Sequence, residues 1–471
     1  MARGKKTAKE LTPEEKLAQA LVPIEEQPYK IPENWCYVPQ RIICKLSNGE
    51  KMEGKEYPYL EVKYLRGKKK ADILTKGKYI KESTKVILVD GENSGEVFTV
   101  FEDGYMGSTF KALDISSVVN QDYLLYFIAT KKELYRNNKK GSAIPHLNKE
   151  LFFSMPFPLA PLAEQVRIVD RIESIFAKLD EAKEKAQEVV DGFELRKSAI
   201  LHKAFTGELT KKWRKKHKFT SEESFVSIQK ELLETKRKKI KKMINNVKLP
   251  NIPKEWKYVD LDEIAKKITD GEHSTPNRVD EFCGYYLLSA RNVRNDKLDL
   301  DNVDYVDRNE YEKIRGRCNP KKNDILISCS GSVGRTCVIN DNNYYVMVRS
   351  AALVSVVGCN PRFIMYMIMS GTVQGEIKML SKQTAQANFF IGAIAALKIP
   401  FPPIEEQNEI MHLLDNLIQK EKQAKETAEE VIAQIDTMKK AVLARAFRGE
   451  LGTNDPEEES AMELLKSVIN L

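Results

Sequence analysis

Two stretches of this chain repeat one another 242 positions apart and keep step without a gap for more than forty residues. The first runs from Pro161-Leu-Ala-Glu164-Gln165 to Ala204-Phe205-Thr-Gly207-Glu208-Leu209. The second runs from Pro403-Ile-Glu-Glu406-Gln407 to Ala446-Phe447-Arg-Gly449-Glu450-Leu451. Internal repetition constrains a fold more than any other sequence signal. It implies a molecule with two equivalent halves and a target with two halves.

Within each copy, apolar residues recur every third or fourth position. They fall at Ile168, Ile172, Ile175, Leu179, Ala182, Ala186, Val189 and Phe193 in the first. In the second they fall at Ile410, Leu414, Leu417, Ala424, Ala428, Val431 and Ile435. The residues between are mostly charged, so each copy reads as a helix burying one narrow seam against another helix. Such a helix would be about 60 Å long at ~1.5 Å per residue. Pro161 and Pro403 stand where a helix can begin, and Gly207 and Gly449 where it can stop. The shared register points to each copy as the other's partner, over the alternative of two unrelated surface helices or helices each belonging to its own domain. The alanines at 182, 186, 424 and 428 predict an antiparallel pair whose backbones approach closely there.

The correspondence extends outward. Ile31-Pro32-Glu-Asn-Trp35 matches Ile252-Pro253-Lys-Glu-Trp256, and Met155-Pro156-Phe157-Pro158 matches Ile399-Pro400-Phe401-Pro402. Each half is therefore a globular head, a Pro-rich joint and a long helix. From opening Ile-Pro to joint is 125 positions in the first half and 148 in the second (31 to 156, 252 to 400). The frame is constant and the heads are not. After the helices, Glu222-Glu223-Ser224 and Glu458-Glu459-Ser460 occupy matching places, and the two tails, 50 residues together, would replace the 42-residue central connector. The expected fold is α+β: two α/β heads joined by two long antiparallel helices in a pseudo-twofold circular arrangement. Its parts would be an N-terminal segment 1–30 completing the ring with the C-terminus, head 31–160, helix 161–209, basic helical linker 210–251, head 252–402, helix 403–451 and tail 452–471.

Both heads show short β-like runs broken by Gly, Asn and Ser. Lys85-Val-Ile-Leu-Val-Asp90-Gly91-Glu-Asn93-Ser94-Gly95 and Asp324-Ile-Leu-Ile-Ser328-Cys-Ser330-Gly331-Ser332-Val-Gly334-Arg335 each read as a strand entering a tight polar loop. Small residues there would let backbone N–H groups approach an anion. Further loops carry Lys63, Tyr64, Arg66, Lys68 and Lys69 in the first head. The second carries His273, Ser274 and Thr275, then Arg291, Asn292 and Arg294. Together with Asn93, Ser94, Ser330, Ser332 and Arg335 these are residue types that hold phosphates and read base edges. For any one of them taken singly, solvated loop surface is the commoner role.

The net charge is +8, and the excess is local: Lys211–Lys218 and Lys236–Lys242 both lie in the central connector. Such runs favour phosphate backbones through counterion release, although a solvated face is the commoner role of a charge run. Seven scattered cysteines without a Cys-x-x-Cys pair argue against a disulfide framework or zinc knuckle. The same scattered cysteines fit a reducing cytoplasm, and no apolar run would span a membrane or mark a signal peptide. A nucleotide-binding Gly-x-x-x-x-Gly-Lys-Ser/Thr loop is missing. Phe401-Pro402-Pro403-Ile404 lacks the amide or acid that adenine methyltransferases place before paired prolines. Five dispersed histidines (146, 202, 217, 273 and 412) suggest neither a metal nor a triad.

In the order head, helix, head, helix, with these joints and helix ends, the chain resembles the specificity subunit of type I restriction–modification systems over nearly its whole length. The resemblance implies that each head is a target-recognition domain reading one half of a bipartite, asymmetric site on double-stranded DNA. The paired helices would be a spacer that sets the gap and docks two modification (methyltransferase) subunits. It implies no catalysis and no cofactor in this chain. S-adenosylmethionine would belong to the modification subunits, and ATP with Mg to a restriction (translocase and nuclease) subunit. Thr206-Gly207-Glu208-Leu209 falls where some members repeat a tetrapeptide to lengthen the spacer. Asp270-Gly-Glu-His273-Ser-Thr-Pro276 is close to a family pattern that the first head lacks, so base contacts cannot be carried from one head to the other. Two other readings compete: a coiled-coil scaffold with protein-binding heads, and an enzyme with a cryptic nuclease or methyltransferase centre.

Overall fold

The repeated motifs meet at one kind of joint, built twice. In the computed structural model, which describes residues 12–141, 145–217, 221–235, 240–243, 247–381 and 388–469, the chain forms two units. One comprises 1–187 with 429–471, the other 188–428. The cuts, after 187 and after 428, lie 241 positions apart, within one residue of the offset of the sequence repeat.

Inside the first unit the indole N–H of Trp35 donates to Glu164 Oε2 at 2.7 Å, and in the second Trp256 donates to Glu406 Oε2 at 2.8 Å. Both carboxylates are buried, at 0% and 1% exposure. A buried charge must be hydrogen-bonded or it destabilises the fold, which explains why Trp and Glu recur together. The neighbouring amides, Gln165 and Gln407, reach into the heads and accept from the backbone N–H of Asn120 (2.8 Å) and Asn360 (3.2 Å). Those asparagines in turn cap the helices Gln121–Thr130 and Pro361–Met369. The helix-end glycines complete each joint. Gly207 and Gly449 sit at φ +74° and +72°, and a Cβ there would lie 2.6 Å from Pro253 Cγ and 2.4 Å from Pro32 Cγ. Only glycine satisfies both the left-handed backbone and the close approach.

Each joint thus takes the start of one long helix and the end of the other. The core of the first unit joins Ile168 and Ile172 with Ala446 and Phe447; that of the second joins Ala204 and Phe205 with Ile410 and Leu414. The helix pair is antiparallel within each unit. Asp180 meets Lys439 at 2.6 Å and Lys183 meets Asp436 at 3.4 Å in the first. In the second, Arg196 meets Glu421 at 2.6 Å and Lys425 lies 5.3 Å from the Phe193 ring.

The second helix, Ile404–Ala446, is unbroken and about 65 Å long at ~1.5 Å per residue. The first is Leu162–Asp191 followed by Phe193–Phe205. Backbone hydrogen bonds continue through Gly192, whose missing side chain leaves room for the Arg196 guanidinium to reach Val189 O and Glu421. Pro161 and Pro403 precede the first helical residue, and their carbonyls accept from Gln165 and Gln407.

The seam departs from its expected course at three positions. Ile168, Ile172, Ala186, Phe193, Ile410, Leu414, Ala428 and Ile435 are buried, and Ile175, Leu179, Val189 and Leu417 are partly buried. Ala182, Ala424 and Val431 are exposed. The covered positions run 172, 176, 179, 183, 186, 190, 193 and, 242 later, 414, 418, 421, 425, 428, 432, 435. One extra four-residue step, at Phe176 and Ile418, turns the stripe by one position, because a helix has 3.6 residues per turn rather than 3.5. The slip places Lys183 and Lys425, both half-buried, on the seam, where a long aliphatic stem covers apolar surface.

Each head opens and closes with a two-stranded antiparallel pair: Cys36–Pro39 with Pro156–Leu159, and Lys257–Asp260 with Lys398–Phe401. The Pro-rich joints are therefore strands. Proline is tolerated there because each strand of a two-stranded sheet is an edge. Behind them lies a four-stranded sheet of identical topology. In the first head the order is Cys44–Ser47, Phe110–Ile115, Lys85–Leu88, Val97–Thr99; in the second it is Ala265–Asp270, Ala351–Val356, Ile325–Ser328, Thr336–Val338.

The connectors reach the joints as well. Helix Ala461–Val468 begins with Ala461 N donating to Asn34 O, and helix Ser221–Glu234 with Ser221 N donating to Glu255 O. Both acceptors immediately precede a joint tryptophan. The true equivalence is thus Ala461 with Ser221, and the Glu-Glu-Ser match expected from sequence is out of step by about one helical turn. Helix Pro13–Ala20 packs into the same core as Ala461 and Leu465. Residues 1–11, Lys218 and the 236–239 part of the second basic run lie outside the described residues.

Candidate nucleic-acid interface

The heads diverge in one place. From Cys36 to Cys44 is 8 positions and from Lys257 to Ala265 is also 8. From Lys85 to Gln121 is 36, as is Ile325 to Pro361; from there to the closing strand is 35 and 37. Between the first two sheet strands, however, Cys44 to Lys85 is 41 and Ala265 to Ile325 is 60. Nearly all the length difference sits in this slot, residues 48–84 and 271–324.

In the first head the slot holds a long ribbon. Glu50–Leu60 pairs antiparallel with Ile73–Ile80, and with Gly104–Met106 they close into a small barrel. Tyr57 packs at 5.1 Å from Tyr79 and 5.5 Å from Tyr105, and Tyr105 Oη donates to Lys55 O at 2.8 Å. A Cβ on Gly77 would lie 2.8 Å from the Tyr105 ring, so the face carrying Met52 and Gly77 is the packed one. Residues opposite one another in an antiparallel pair share a face and alternate along the strand. Lys51 opposite Lys78 and Glu53 opposite Lys76 therefore form the other face, and Lys51, Glu53 and Lys76 are exposed. At the ribbon's edge Lys78 and Lys111 both donate to Asn48 Oδ1, the former at 3.3 Å. Burial, then repulsion from Lys78 and Lys149, holds the Lys111 ammonium below its usual pKa. Among the described residues no carboxylate lies within 4.0 Å of Lys78 or Lys111.

The basic residues singled out in this head share the slot. Lys63 and Lys68 are exposed. Arg66 is paired with Glu96, Tyr64 donates to Glu102, and Lys69 bridges Glu61 (3.0 Å) and Asp72 (2.7 Å). Asn93 is partly buried, on the loop after the second sheet strand. Ser94 is fully buried and cannot touch a ligand as expected. Its place is set by the turn, where its N–H donates to Gly91 O.

In the second head the cations are arginines held by carboxylates. Asp304 receives Arg278 at 2.8 Å and also Arg291; burial would raise its pKa, but these two hydrogen bonds hold it below the usual range. Arg294 meets Asp299 at 3.2 Å. His273 Nε2 lies 2.7 Å from Asp270 Oδ2, while Arg317 donates to Asp270 Oδ1 (2.6 Å) and Gly271 O (2.9 Å). Burial pushes the Asp270 carboxyl up, and Arg317 and His273 outweigh it. Ser274 is tied to Glu272 through its N–H and hydroxyl, and Thr275 is exposed. Asn292 is likewise withdrawn from solvent, contrary to expectation: it is 1% exposed, and its amide spans Ser289, Asp299 and Asn302, holding the loop that presents Arg291 and Arg294.

The polar loops at 90–95 and 329–335 occupy the same hairpin of the two sheets. Gly95 and Gly334, at φ +94° and +86°, pack against Tyr135 and against Gln374 and Ile377, so turn geometry and packing account for them. Ser330 and Arg335 are partly exposed and Ser332 is exposed. Asn48, Lys51, Lys76, Lys78 and Lys111 were not singled out from sequence. The signal was the alternation Lys76-Gly77-Lys78, masked by the denser run at 63–70.

Comparison with known proteins agrees with this architecture. The model of the type I restriction modification DNA specificity domain matches residues 32–190 and 253–432. Most of the chain is covered, and it belongs to that family. It is 28% identical over 451 residues to the MjaVIII specificity subunit of Methanocaldococcus jannaschii, covering 90% of this chain and 94% of that one. To the EcoKI specificity subunit of Escherichia coli it is 22% identical, covering 93% and 96%. Among solved structures, the HsdS subunit from Thermoanaerobacter tengcongensis superposes with a TM-score of 0.59 at 18% identity, covering 91% of this chain and all of that one. A chain from a type I restriction–modification assembly gives 0.61 at 17%, covering 90% and 100%. Neither the scaffold nor the cryptic-enzyme reading finds support in these matches. No helix among the described residues is long and apolar enough to cross a membrane.

Proposed function

We propose that this chain is the sequence-specific DNA-binding subunit of a type I restriction–modification complex, with each head reading one half of a split, asymmetric site. The paired helices set the gap between half-sites and dock modification subunits, two in number. Duplex readers that use paired modules place them about one helical turn apart, roughly 34–36 Å. Catalysis lies with the partners: methyl transfer to adenine from S-adenosylmethionine on the modification subunits, and ATP-dependent cleavage by a restriction subunit. The ring closed by 1–30 and 452–471 belongs to the same proposal, as do the arginines and lysines named above as DNA contacts.

One observation carries the reading. Two sheets of the same topology, on joints of the same chemistry, present unlike segments in the same slot. A scaffold has no use for that combination, whereas a reader of two different half-sites requires it. The test is the methylation pattern of host DNA, mapped by single-molecule sequencing. A split adenine motif with unequal halves, lost when this chain is deleted, is the expected result. An unchanged pattern in the deletion strain would reject the assignment.

A further inference from the structure

We propose that half-site identity in each head is set by the slot between the first two sheet strands alone, and that in the first head the outward face of the ribbon reads bases while Lys78 and Lys111 clamp a backbone phosphate. This rests on the DNA-reading function above and names the part of the head that performs it.

Segment lengths separate the constant part of a head from the variable part. Outside the slot the two heads are matched to within two positions in each interval, so that framework is common to both specificities. The slot alone differs, by 19 positions between 41 and 60, and differs in kind: a ribbon in one head; in the other, short strands at Tyr285–Leu288 and Asp304–Tyr305 with the helix Arg308–Arg315. A part that must change with the target cannot also be the part held constant.

The ribbon has the form that base reading needs. A two-stranded antiparallel ribbon fits the major groove, where side chains of one face meet base edges. Here that face carries Lys51, Glu53 and Lys76, a donor–acceptor–donor set, exposed and in fixed register. Lysine donates to guanine O6 and N7, and a carboxylate accepts from cytosine N4. The opposite face is stiffened by the Tyr57, Tyr79 and Tyr105 rings, so little ordering remains to be done on binding. Beside it, two ammonium groups converge on one neutral amide oxygen of Asn48; among the described residues no carboxylate lies within 4.0 Å of either, and Asp90 attracts Lys111 only from farther off. Their mutual repulsion is relieved by an anion between them, and a DNA phosphate supplies one. Phosphate contacts fix register without carrying sequence, which complements the reading face.

The experiment uses the full chain assembled with its modification subunits and fluorescent duplexes carrying the wild-type methylation motif or single-base changes in either half. Lys51→Ala with Lys76→Ala should lower discrimination against wrong bases in one half-site by tenfold or more and leave the other half at the wild-type level. Lys78→Ala with Lys111→Ala should instead weaken every duplex alike and reduce the slope of log affinity against log salt by about 2, close to one for each ammonium group removed from the backbone. Thermal unfolding within one degree of wild type shows that these surface changes act on binding. Full discrimination at both half-sites in the first variant, or equal loss at both, would overturn the proposal. A wild-type complex that favours no split motif would instead remove the function on which it rests.

Discussion

The two slots hold the same number of cations and use them differently. Residues 48–84 contain ten Lys and Arg against six Asp and Glu; residues 271–324 contain ten against eleven. In the first head most of these cations are lysines; Lys78 shares Asn48 with Lys111 of the adjoining sheet strand, and among the described residues no carboxylate lies within 4.0 Å of either. In the second, Arg278, Arg291, Arg294 and Arg317 are each held by an aspartate. A lysine is a mobile point charge, whereas an arginine fork braced by a carboxylate is pre-aimed. A count of basic residues therefore does not describe a nucleic-acid surface. On the proposed DNA-reading function, one slot would attract and the other orient, although both stand on sheets of the same topology and joints of the same chemistry.

The most damaging way to probe that shared base is at the joints. Gly449→Ala and Gly207→Ala should each cost about 3 kcal/mol, combining a left-handed alanine with a clash on proline. Equal losses in chemical unfolding are expected because the two joints are alike; a loss in only one would break the equivalence. Next comes Asp304→Asn, which frees Arg278 and Arg291. Discrimination at the second half-site should fall by about tenfold, or ~1.4 kcal/mol, while affinity for random duplex rises with the added positive charge. Competition binding measures both, and a fall in non-specific affinity would show that the aspartate only stabilises the fold.

The joints themselves differ in one respect. Glu406 is matched by the Arg214 guanidinium and by Thr210, whereas Glu164 relies on Asn454 (2.9 Å) and Thr453 (3.3 Å). Asn454→Ala should destabilise the first unit by about 1.5 kcal/mol through a buried carboxylate left short of a donor, as read by hydrogen exchange at Trp35. The smallest effect concerns salt. Arg291→Ala with Arg294→Ala should change the salt slope by less than the Lys78 and Lys111 pair does, because their charges are already matched internally. Equal slopes would erase the contrast between an attracting and an orienting slot.

Much of the frame was legible in the chain. Trp35, Glu164, Gln165 and Gly449, with their copies 256, 406, 407 and 207, were visible as a repeat before their contacts were known. Two things escaped. The slip at Phe176 and Ile418 was hidden because Lys183 and Lys425 read as polar, although a lysine stem covers apolar surface as a leucine does. The burial of Ser94 and Asn292 was hidden because a loop's small polar residues look alike whether they face water or brace the backbone from within.

The duplication, the two long helices, the unequal heads and the family all follow from the linear chain, since each is written in periodicity or in order along it. The folded molecule was needed to reveal that both heads share one sheet topology, that their difference is confined to one slot, and which cations are braced by carboxylates. Strand order and ion pairing join residues far apart in the chain, and a linear pattern carries no record of distances that folding alone makes short.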